Sequence, residues 1–326
     1  MSENLDLSLV LPVYNEVEDL APLVEKTVAA LTPLNLRYEI VLVDDGSTDG
    51  SDQAVDDLAE KYPTVHALHF RRNFGQTAAL SAGIDHSRGD MVVTMDADGQ
   101  NDPADIPALL NKLNEGYDVV SGWRRQRQDE KPRMFLSRVA NRLISRLTGV
   151  PLSDYGCTLK VYRREIIQDV HLYGDMHRFI PALASWVGAR VTEVPVRHHP
   201  RMHGRSKYGM NRIFRVLLDL LTVLFMLRWS TKPIRFFGGI GLASIALGLL
   251  NFVIVVLMKI LAGVDMFAYP FFLIGIFLTL IGVQFALMGL LGETNVRIYH
   301  ETQKKPTYYL REPKAAGIKP GKALNG

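Results

Sequence analysis

Residues 91–100, Met91-Val92-Val93-Thr94-Met95-Asp96-Ala97-Asp98-Gly99-Gln100, combine a strand pattern with two carboxylates at its end. The apolar and β-branched residues 91–95 predict a short buried strand, entered through a Gly-Asp turn. Carboxylates at the carboxyl end of such a strand lie where open α/β sheets bind ligands. Oxygen ligands with no Cys or His nearby suit Mg²⁺ or Mn²⁺ better than zinc. The stretch therefore predicts a site for a divalent cation, and a solvated acidic turn is the alternative.

Strand-like and helix-like segments alternate on both sides of this stretch. Short apolar runs that predict strands occupy residues 7–13, 38–43, 65–70, 91–95 and 118–122. Helical patterns lie between them, at 18–31, 51–61, 76–85 and 103–115. Such alternation is typical of a mostly parallel sheet covered by helices. Residues 1–210 are therefore expected to form a Rossmann-like α/β domain.

Polar residues also follow the first two predicted strands. The first strand ends in Pro12-Val13-Tyr14-Asn15-Glu16 and the second in Asp44-Asp45-Gly46-Ser47. Because parallel strands end at one edge of the sheet, these motifs should converge with residues 96–100. Tyr14 offers a flat face for a nucleobase, and Asp44 can accept a base N–H or a ribose hydroxyl; a structural turn is the alternative for the second motif. No G-x-G-x-x-G follows the first strand, which argues against a dinucleotide-binding oxidoreductase.

Two long segments, 236–258 and 266–292, contain no Asp, Glu, Lys, Arg or His. Their lengths of 23 and 27 residues exceed the roughly 20 needed to cross a bilayer. The short connection between them predicts a hairpin, with transmembrane helices at 234–262 and 266–292. Lys and Arg flank the hairpin on both sides, so its ends, the α/β domain and both termini are expected on the cytoplasmic side of the inner (plasma) membrane.

The remaining segments and the composition narrow the choice of partners. Residues 211–233 mix a wide apolar face with a basic stripe, which favours a juxtamembrane helix in the interface plane over a third span. Residues 293–326 are expected to form a basic cytoplasmic tail. Cys157 is the single cysteine, so no intrachain disulfide can form, as suits a reducing compartment. The net charge of +3 is too small to argue for a nucleic-acid partner.

Four motifs, in their order and spacing, resemble the family 2 glycosyltransferases of GT-A fold. They are Val13-Tyr14-Asn15-Glu16, Asp44-Asp45-Gly46-Ser47, Asn73-Phe74-Gly75-Gln76 and Asp96-Ala97-Asp98-Gly99-Gln100. The likeness narrows to members that use a polyprenyl-phosphate acceptor, such as dolichyl-phosphate mannose synthase. Three further segments are most similar to the undecaprenyl-phosphate 4-deoxy-4-formamido-L-arabinose transferases: Asp154-Tyr155-Gly156-Cys157, Gly204-Arg205-Ser206-Lys207-Tyr208 and Met288-Gly289-Leu290-Leu291-Gly292-Glu293.

The resemblance implies roles for the matching residues. The residues implied to hold the nucleoside are Pro12, Tyr14, Glu16 and Asp44. Those implied to hold the metal and the diphosphate are Asp96, Ala97, Asp98 and Gln100, with Asp98 also catalytic. Those implied to act near the acceptor phosphate are Arg124, Arg138 and Asp154, the last as a base or an orienting group. A loop implied to close over donor and acceptor contains Arg201, Ser206 and Lys207.

The implied reaction is an inverting, metal-dependent transfer of a sugar from a nucleotide sugar, expected to be a UDP-sugar, to undecaprenyl phosphate. A phosphate monoester has a second pKa of about 6, so its oxygen is already an anionic nucleophile at neutral pH. The reaction therefore needs no strong base, but it needs Arg and Lys residues that hold two phosphates close together. The resemblance also implies a homo-oligomer.

Two rival functions remain open. A processive polysaccharide synthase would carry a Gln-x-x-Arg-Trp segment, but no glutamine precedes Arg228-Trp229 at that spacing. A catalytically silent membrane adaptor could keep the same scaffold, although intact acidic motifs argue against it.

Overall fold

The computed structural model describes residues 5–125, 141–170, 172, 176–200, 222, 224–225, 229, 232–263, 265 and 270–303. The chain divides into two compact units, Met1–Arg228 and Trp229–Gly326. The predicted juxtamembrane helix at 211–233 lies almost wholly outside the described residues. Of the predicted tail at 293–326, residues 293–303 continue the last helix, and the rest lies outside the described residues.

The first unit is built on a seven-stranded sheet with the strand order β3-β2-β1-β4-β6-β5-β7. The strands are β1 Leu5–Val13, β2 Tyr38–Asp44, β3 Val65–His69, β4 Gly89–Thr94, β5 Val119–Arg124, β6 Lys160–Arg163 and β7 Val191–Val196. Only β6 runs antiparallel to its neighbours, β4 and β5, whereas the other named pairings are parallel. The expectation of a mostly parallel sheet is confirmed, and the sequence patterns had not singled out β6 or β7.

Helices cover both faces of the sheet. The first four are α1 Val17–Leu31, α2 Ser51–Lys61, α3 Gln76–His86 and α4 Ile106–Asn114. Further helical segments occupy 141–148, Arg164–Ile167 and Ile180–Trp186, with 3₁₀ turns at Thr32–Leu34, Pro103–Asp105 and Met176–Phe179. The helix predicted from 103 begins as the second of these turns, where the Asp102 side chain accepts a hydrogen bond from Ala104 N at 3.0 Å.

Two apolar clusters, one on each face, hold these layers together. On β1, Leu9 and Leu11 join the cluster that includes α1, α2 and α4, while Val10 between them joins the cluster that includes α3. Successive side chains on a strand point to opposite faces, so a strand covered on both sides reads as an unbroken apolar run. That is why the strand segments were visible in the sequence.

The second unit contains two long apolar helices, Pro233–Ala262 and Pro270–Gln303. They pack closely through glycines: a Cβ on Gly241 would lie 2.6 Å from the carbonyl oxygen of Gly282. Small residues allow such close contact between membrane helices. Only 17% and 11% of their most apolar windows is buried, unlike a core helix of a soluble domain. The chain is therefore a membrane protein.

Candidate active site

The carboxyl ends of β1, β2 and β4 bring three of the predicted motifs to one edge of the sheet. Val13 is the register partner of Asp44, and Val10 is the partner of Thr94. Asp96 therefore follows β4 at about the level of Pro12, the second-last residue of β1. The converging motifs expected from the sequence do lie side by side, because parallel pairing in this register leaves no other arrangement.

The loops after β1 and β2 hold each other in place. Asn15 donates its backbone N–H to Ser47 Oγ at 3.0 Å and accepts from Thr48 N through its side chain at 2.8 Å. Glu16 N donates to Ser51 Oγ at 3.0 Å. Asn15 adopts a left-handed backbone with φ of 55°, a conformation that Asn tolerates better than most residues. Tyr14 and Glu16 thus stand on a braced loop beside Asp44.

Asp44 forms one wall of an open cleft of about 580 Å³. Its Oδ1 accepts a hydrogen bond from Ser47 N at 3.0 Å, and its side chain is almost fully buried. The cleft is also lined by acidic residues of α2, by His69 and by basic residues that follow β3: Asp52, Asp56, His69, Arg71 and Arg72. Polar groups of both signs around a concave space suit a nucleoside and its phosphates.

Asp45, next to Asp44, organises the loop before α3. Its carboxylate accepts hydrogen bonds from Phe74 N at 2.7 Å, Gly75 N at 2.9 Å and Asn73 Nδ2 at 2.9 Å. Burial raises the pKa of Asp45 despite these donors. Two adjacent aspartates therefore differ in role: Asp44 faces the cleft, and Asp45 fixes the motif Asn73–Gln76.

The strand-end carboxylates form the acidic centre of the site. Asp98 is buried, and its Oδ1 accepts from Gln100 N at 3.2 Å. Asp96 accepts from Gln76 Nε2 at 2.5 Å, a contact the sequence reasoning had not assigned although it had singled out the motif that ends in Gln76. Burial, followed by repulsion from Asp98, raises the pKa of Asp96 to about 7. The surrounding protein groups therefore do not fully neutralise the negative charge of Asp96 and Asp98.

This donor set fits a divalent cation that takes most of its ligands from elsewhere. Among the described residues, no group of three or more His, Cys, Asp and Glu is arranged to hold a metal. Two carboxylates are too few for a structural zinc site. They suit Mg²⁺ or Mn²⁺, which complete their shells with water and phosphate oxygens. Asp96 and Asp98 would hold such an ion.

Arg124, at the end of β5, forms a buried two-point ion pair with Asp154. Its Nε and a terminal nitrogen donate to the two carboxylate oxygens at 2.7 and 3.0 Å. The exposed fractions of the two side chains are 12% and 3%. Burial alone would lower the pKa of Arg124, but the hydrogen bonds and charge of Asp154 raise it above its ordinary value. Arg124 thus presents a fixed, permanently charged fork.

Lys160 on β6 is a buried cation beside this pair that the sequence analysis did not identify. Its ammonium donates to the backbone carbonyls of Tyr155 and Cys157, in the loop that carries Asp154. Burial lowers its pKa. The only signal in the sequence is a lysine inside a short run of strand-forming residues, which is rare unless the charge is paired.

A second connection ties the segment after β7 to the acidic centre. His199 N donates to Gln100 O at 2.9 Å, and Arg197 pairs with Asp102 at 3.0 Å and with Asp105 at 2.9 Å. The residues that follow, including Arg201, Ser206 and Lys207, lie outside the described residues, as does Arg138. Their implied roles stay predictions.

Comparison with known proteins identifies the family. The model of "Glycosyl transferase family 2" matches residues 8–170. The chain belongs to glycosyl transferase family 2. This glycosyltransferase is 43% identical over 318 residues to the dodecaprenyl-phosphate galacturonate synthase of Rhizobium johnstonii, covering 95% of this chain and 93% of the relative. It is 40% identical over 307 residues to the undecaprenyl-phosphate 4-deoxy-4-formamido-L-arabinose transferase of Edwardsiella ictaluri, covering 94% and 93%. The family resemblance drawn from the motifs is confirmed.

Solved structures show that this glycosyltransferase has the expected GT-A fold. The mannosyl-3-phosphoglycerate synthase of Rubrobacter xylanophilus matches with a TM-score of 0.54 and 16% identity, over 68% of this chain and 73% of that one. The glucosyl-3-phosphoglycerate synthase of Mycobacterium tuberculosis, in complex with Mn²⁺, UDP and glucosyl-3-phosphoglycerate, matches with a TM-score of 0.51 and 18% identity, over 68% and 80%. The predicted fold class is confirmed.

Proposed function

We propose that this enzyme transfers a sugar from a nucleotide sugar to the phosphate of a membrane polyprenyl phosphate, with inversion at the sugar. The observation that carries the proposal is the acidic pair Asp96–Asp98 at the same sheet edge as the buried Arg124–Asp154 pair. The acidic pair can bind a metal ion together with the donor diphosphate. The ion pair presents the guanidinium of Arg124 in a fixed orientation to the acceptor phosphate. The relatives named above support the acceptor, since both names specify a polyprenyl phosphate.

On the donor side, the cleft walled by Asp44 takes the nucleoside, with Tyr14 and Glu16 on the neighbouring loop. Asp96 and Asp98 would hold Mg²⁺ or Mn²⁺, and such an ion would supply Lewis-acid stabilisation to the departing diphosphate. A solved structure of the same fold contains Mn²⁺ and UDP, which supports uridine as the base. Gln76 keeps Asp96 oriented through its side-chain amide.

On the acceptor side, the work of the protein is positioning. The acceptor phosphate needs no strong base, because it is an anion at neutral pH. Arg124 is held by Asp154 so that its planar fork keeps one orientation, and an oriented guanidinium binds phosphate more specifically than a mobile one. Attack from the face opposite the diphosphate inverts the anomeric centre. Arg138, Arg201, Ser206 and Lys207 are proposed to complete the phosphate sites.

The membrane unit explains how the enzyme reaches a lipid substrate. The two apolar helices form a hairpin in the inner membrane with both ends in the cytoplasm, as the flanking Lys and Arg residues favour. That orientation gives the catalytic unit access to cytoplasmic nucleotide sugars. We propose undecaprenyl phosphate as the lipid and a homo-oligomer as the assembly.

Turnover by the purified full chain tests the proposal. Undecaprenyl phosphate and a panel of UDP- and GDP-sugars are supplied with Mn²⁺, and the lipid product is measured by mass spectrometry. Asp98→Ala should abolish turnover and Mn²⁺-dependent nucleotide binding without unfolding the protein. Asp90→Ala is the matched control, because it removes an exposed carboxylate at the opposite end of β4 from the site.

Three outcomes would contradict the proposal. Equal activity in EDTA and in Mn²⁺ would exclude the metal site. Products with long sugar chains would indicate a processive synthase. No turnover with any donor, combined with no nucleotide binding, would favour the adaptor.

A further inference from the structure

His69 lies at the end of β3, beside the carboxylate that faces the nucleoside cleft. It is the register partner of Asp44 on β2. One ring nitrogen, Nδ1, lies 3.3 Å from Asp44 Oδ2, and the other, Nε2, lies 3.0 Å from Asp56 Oδ1 on α2. The ring therefore bridges two carboxylates on two different elements.

Only a doubly protonated ring satisfies both contacts. A neutral imidazole carries one N–H, and its other nitrogen is an acceptor. A carboxylate is also an acceptor, so a neutral His69 could keep one of the two hydrogen bonds and would face a repulsive lone pair at the other. The imidazolium donates to both and places one positive charge between two negative ones.

The other charged groups around the ring differ in sign. Asp52 on α2 lines the same cleft, and so do Arg71 and Arg72, which follow β3. Burial by itself lowers the pKa of His69, but the hydrogen bonds and charges of Asp56 and Asp44 outweigh it and raise the pKa above its ordinary value. The two carboxylates thus favour the protonated form of His69 more than water does.

We propose that His69 is a positioning residue for the nucleotide, whose doubly protonated ring fixes the Asp44 carboxylate in the orientation that binds the base. The inference rests on the proposed nucleotide-sugar function. Asp44 Oδ1 is already held by Ser47 N, so the contact from His69 to Oδ2 fixes the remaining rotation of the carboxylate. Each oxygen of the Asp44 carboxylate then keeps a second lone pair that can accept a hydrogen bond from the nucleotide.

The consequence is a pH-dependent affinity for the nucleotide. The His69 proton is bound below its pKa, so the fixed state exists at low pH and is lost as pH rises through that value. Loss of a hydrogen bond of ordinary net strength weakens binding by about three- to tenfold. The pH dependence should appear in the affinity for the nucleotide and not in that for the acceptor. The reason is that neither Asp44 nor His69 belongs to the Arg124–Asp154 pair.

The test compares variants of the full chain in detergent. Binding of UDP with Mn²⁺ is measured by calorimetry from pH 6 to pH 9 for the wild type, His69→Gln and Asp57→Asn. Glutamine has its donors on one nitrogen and an acceptor oxygen beside it, so it cannot donate to Asp44 and Asp56 from two opposite atoms as the imidazolium does, and it does not titrate in this range. The wild type should bind UDP about three- to tenfold more tightly than His69→Gln at pH 6, and the two should converge at pH 9. Asp57→Asn, which removes an exposed carboxylate of α2 that accepts from Gln53 Nε2 at 3.0 Å and is neither of the two that His69 bridges, should keep the wild-type pH profile.

Changing the outer carboxylate gives an independent check. Asp56→Asn leaves Asp44 intact but removes one charge that favours the imidazolium, so the midpoint of the profile should move to lower pH. A wild-type to His69→Gln affinity ratio that stays constant from pH 6 to pH 9 would overturn the inference and leave the proposed function standing. If the wild type binds neither UDP nor GDP, both are overturned.

Discussion

Removing one partner of the buried Arg124–Asp154 pair should destabilise the enzyme far more than removing the same kind of pair from its surface. Arg124→Met deletes the guanidinium but keeps a long apolar side chain in its place. The Asp154 carboxylate, 3% exposed, would then lack the two short hydrogen bonds that Arg124 gives it. An uncompensated buried charge of this kind costs about 3–5 kcal/mol.

The chain supplies its own control. Arg37 makes the same two-point contact to Asp6, at 3.2 and 2.9 Å, with exposed fractions of 56% and 31%. Water screens such a pair, and its loss should cost about 0–1 kcal/mol. For a domain of this size, each kcal/mol lost from the free energy of unfolding lowers Tm by about 2–4 °C. Arg124→Met should therefore lower Tm by about 6–20 °C, and Arg37→Met by less than about 4 °C.

A double-mutant cycle separates the pair from its surroundings. Asp154→Asn in the Arg124→Met background should recover part of the lost stability, because it removes the buried charge that had lost the guanidinium. The coupling free energy should be of the order of 2 kcal/mol or more. Equal Tm shifts for Arg124→Met and Arg37→Met, or additive effects in the cycle, would refute the reasoning that burial makes this pair matter.

Three more predictions follow from the site and the membrane unit. Because the pKa of Asp96 is raised to about 7, protons should compete with the metal, and Mn²⁺ affinity measured by titration should fall by about tenfold per pH unit below 7. Asp45→Ala leaves two backbone N–H groups and an amide without their acceptor, and should lower the free energy of unfolding in urea by about 2–4 kcal/mol. Single cysteines at Gly263, Ser2 and Gly326, placed in a cysteine-free background, report topology. An impermeant maleimide applied to intact cells should label only position 263. Labelling at either other position would exclude a hairpin with both ends in the cytoplasm.

Local patterns were sufficient for most individual elements. Helix α2 was predicted as 51–61 and is found at Ser51–Lys61, because its apolar spacing and flanking turn residues lie within the segment itself. The two membrane helices were equally visible, since a run of more than 20 uncharged residues has few alternatives. The acidic motifs were found because strand ends and turn residues mark them in the chain.

The arrangement of the site depended on contacts between distant residues. Strand β6 has four residues, too few to show a period, and it enters the sheet antiparallel between β4 and β5. That insertion places Lys160 beside the pair formed by Arg124 and Asp154, which are 30 positions apart. The pairing of Asp44 with His69 likewise comes from the register of two strands.

The sequence by itself therefore determined the family, the order of the elements and the residue types at the sheet edge. Only the tertiary structure decided that Asp44 lines the cleft while Asp45 holds the loop before α3. It also decided that the Asp154 carboxylate fixes Arg124. The physical reason is that hydrophobic period and turn chemistry act over a few residues, whereas burial and ion pairing depend on which strands become neighbours.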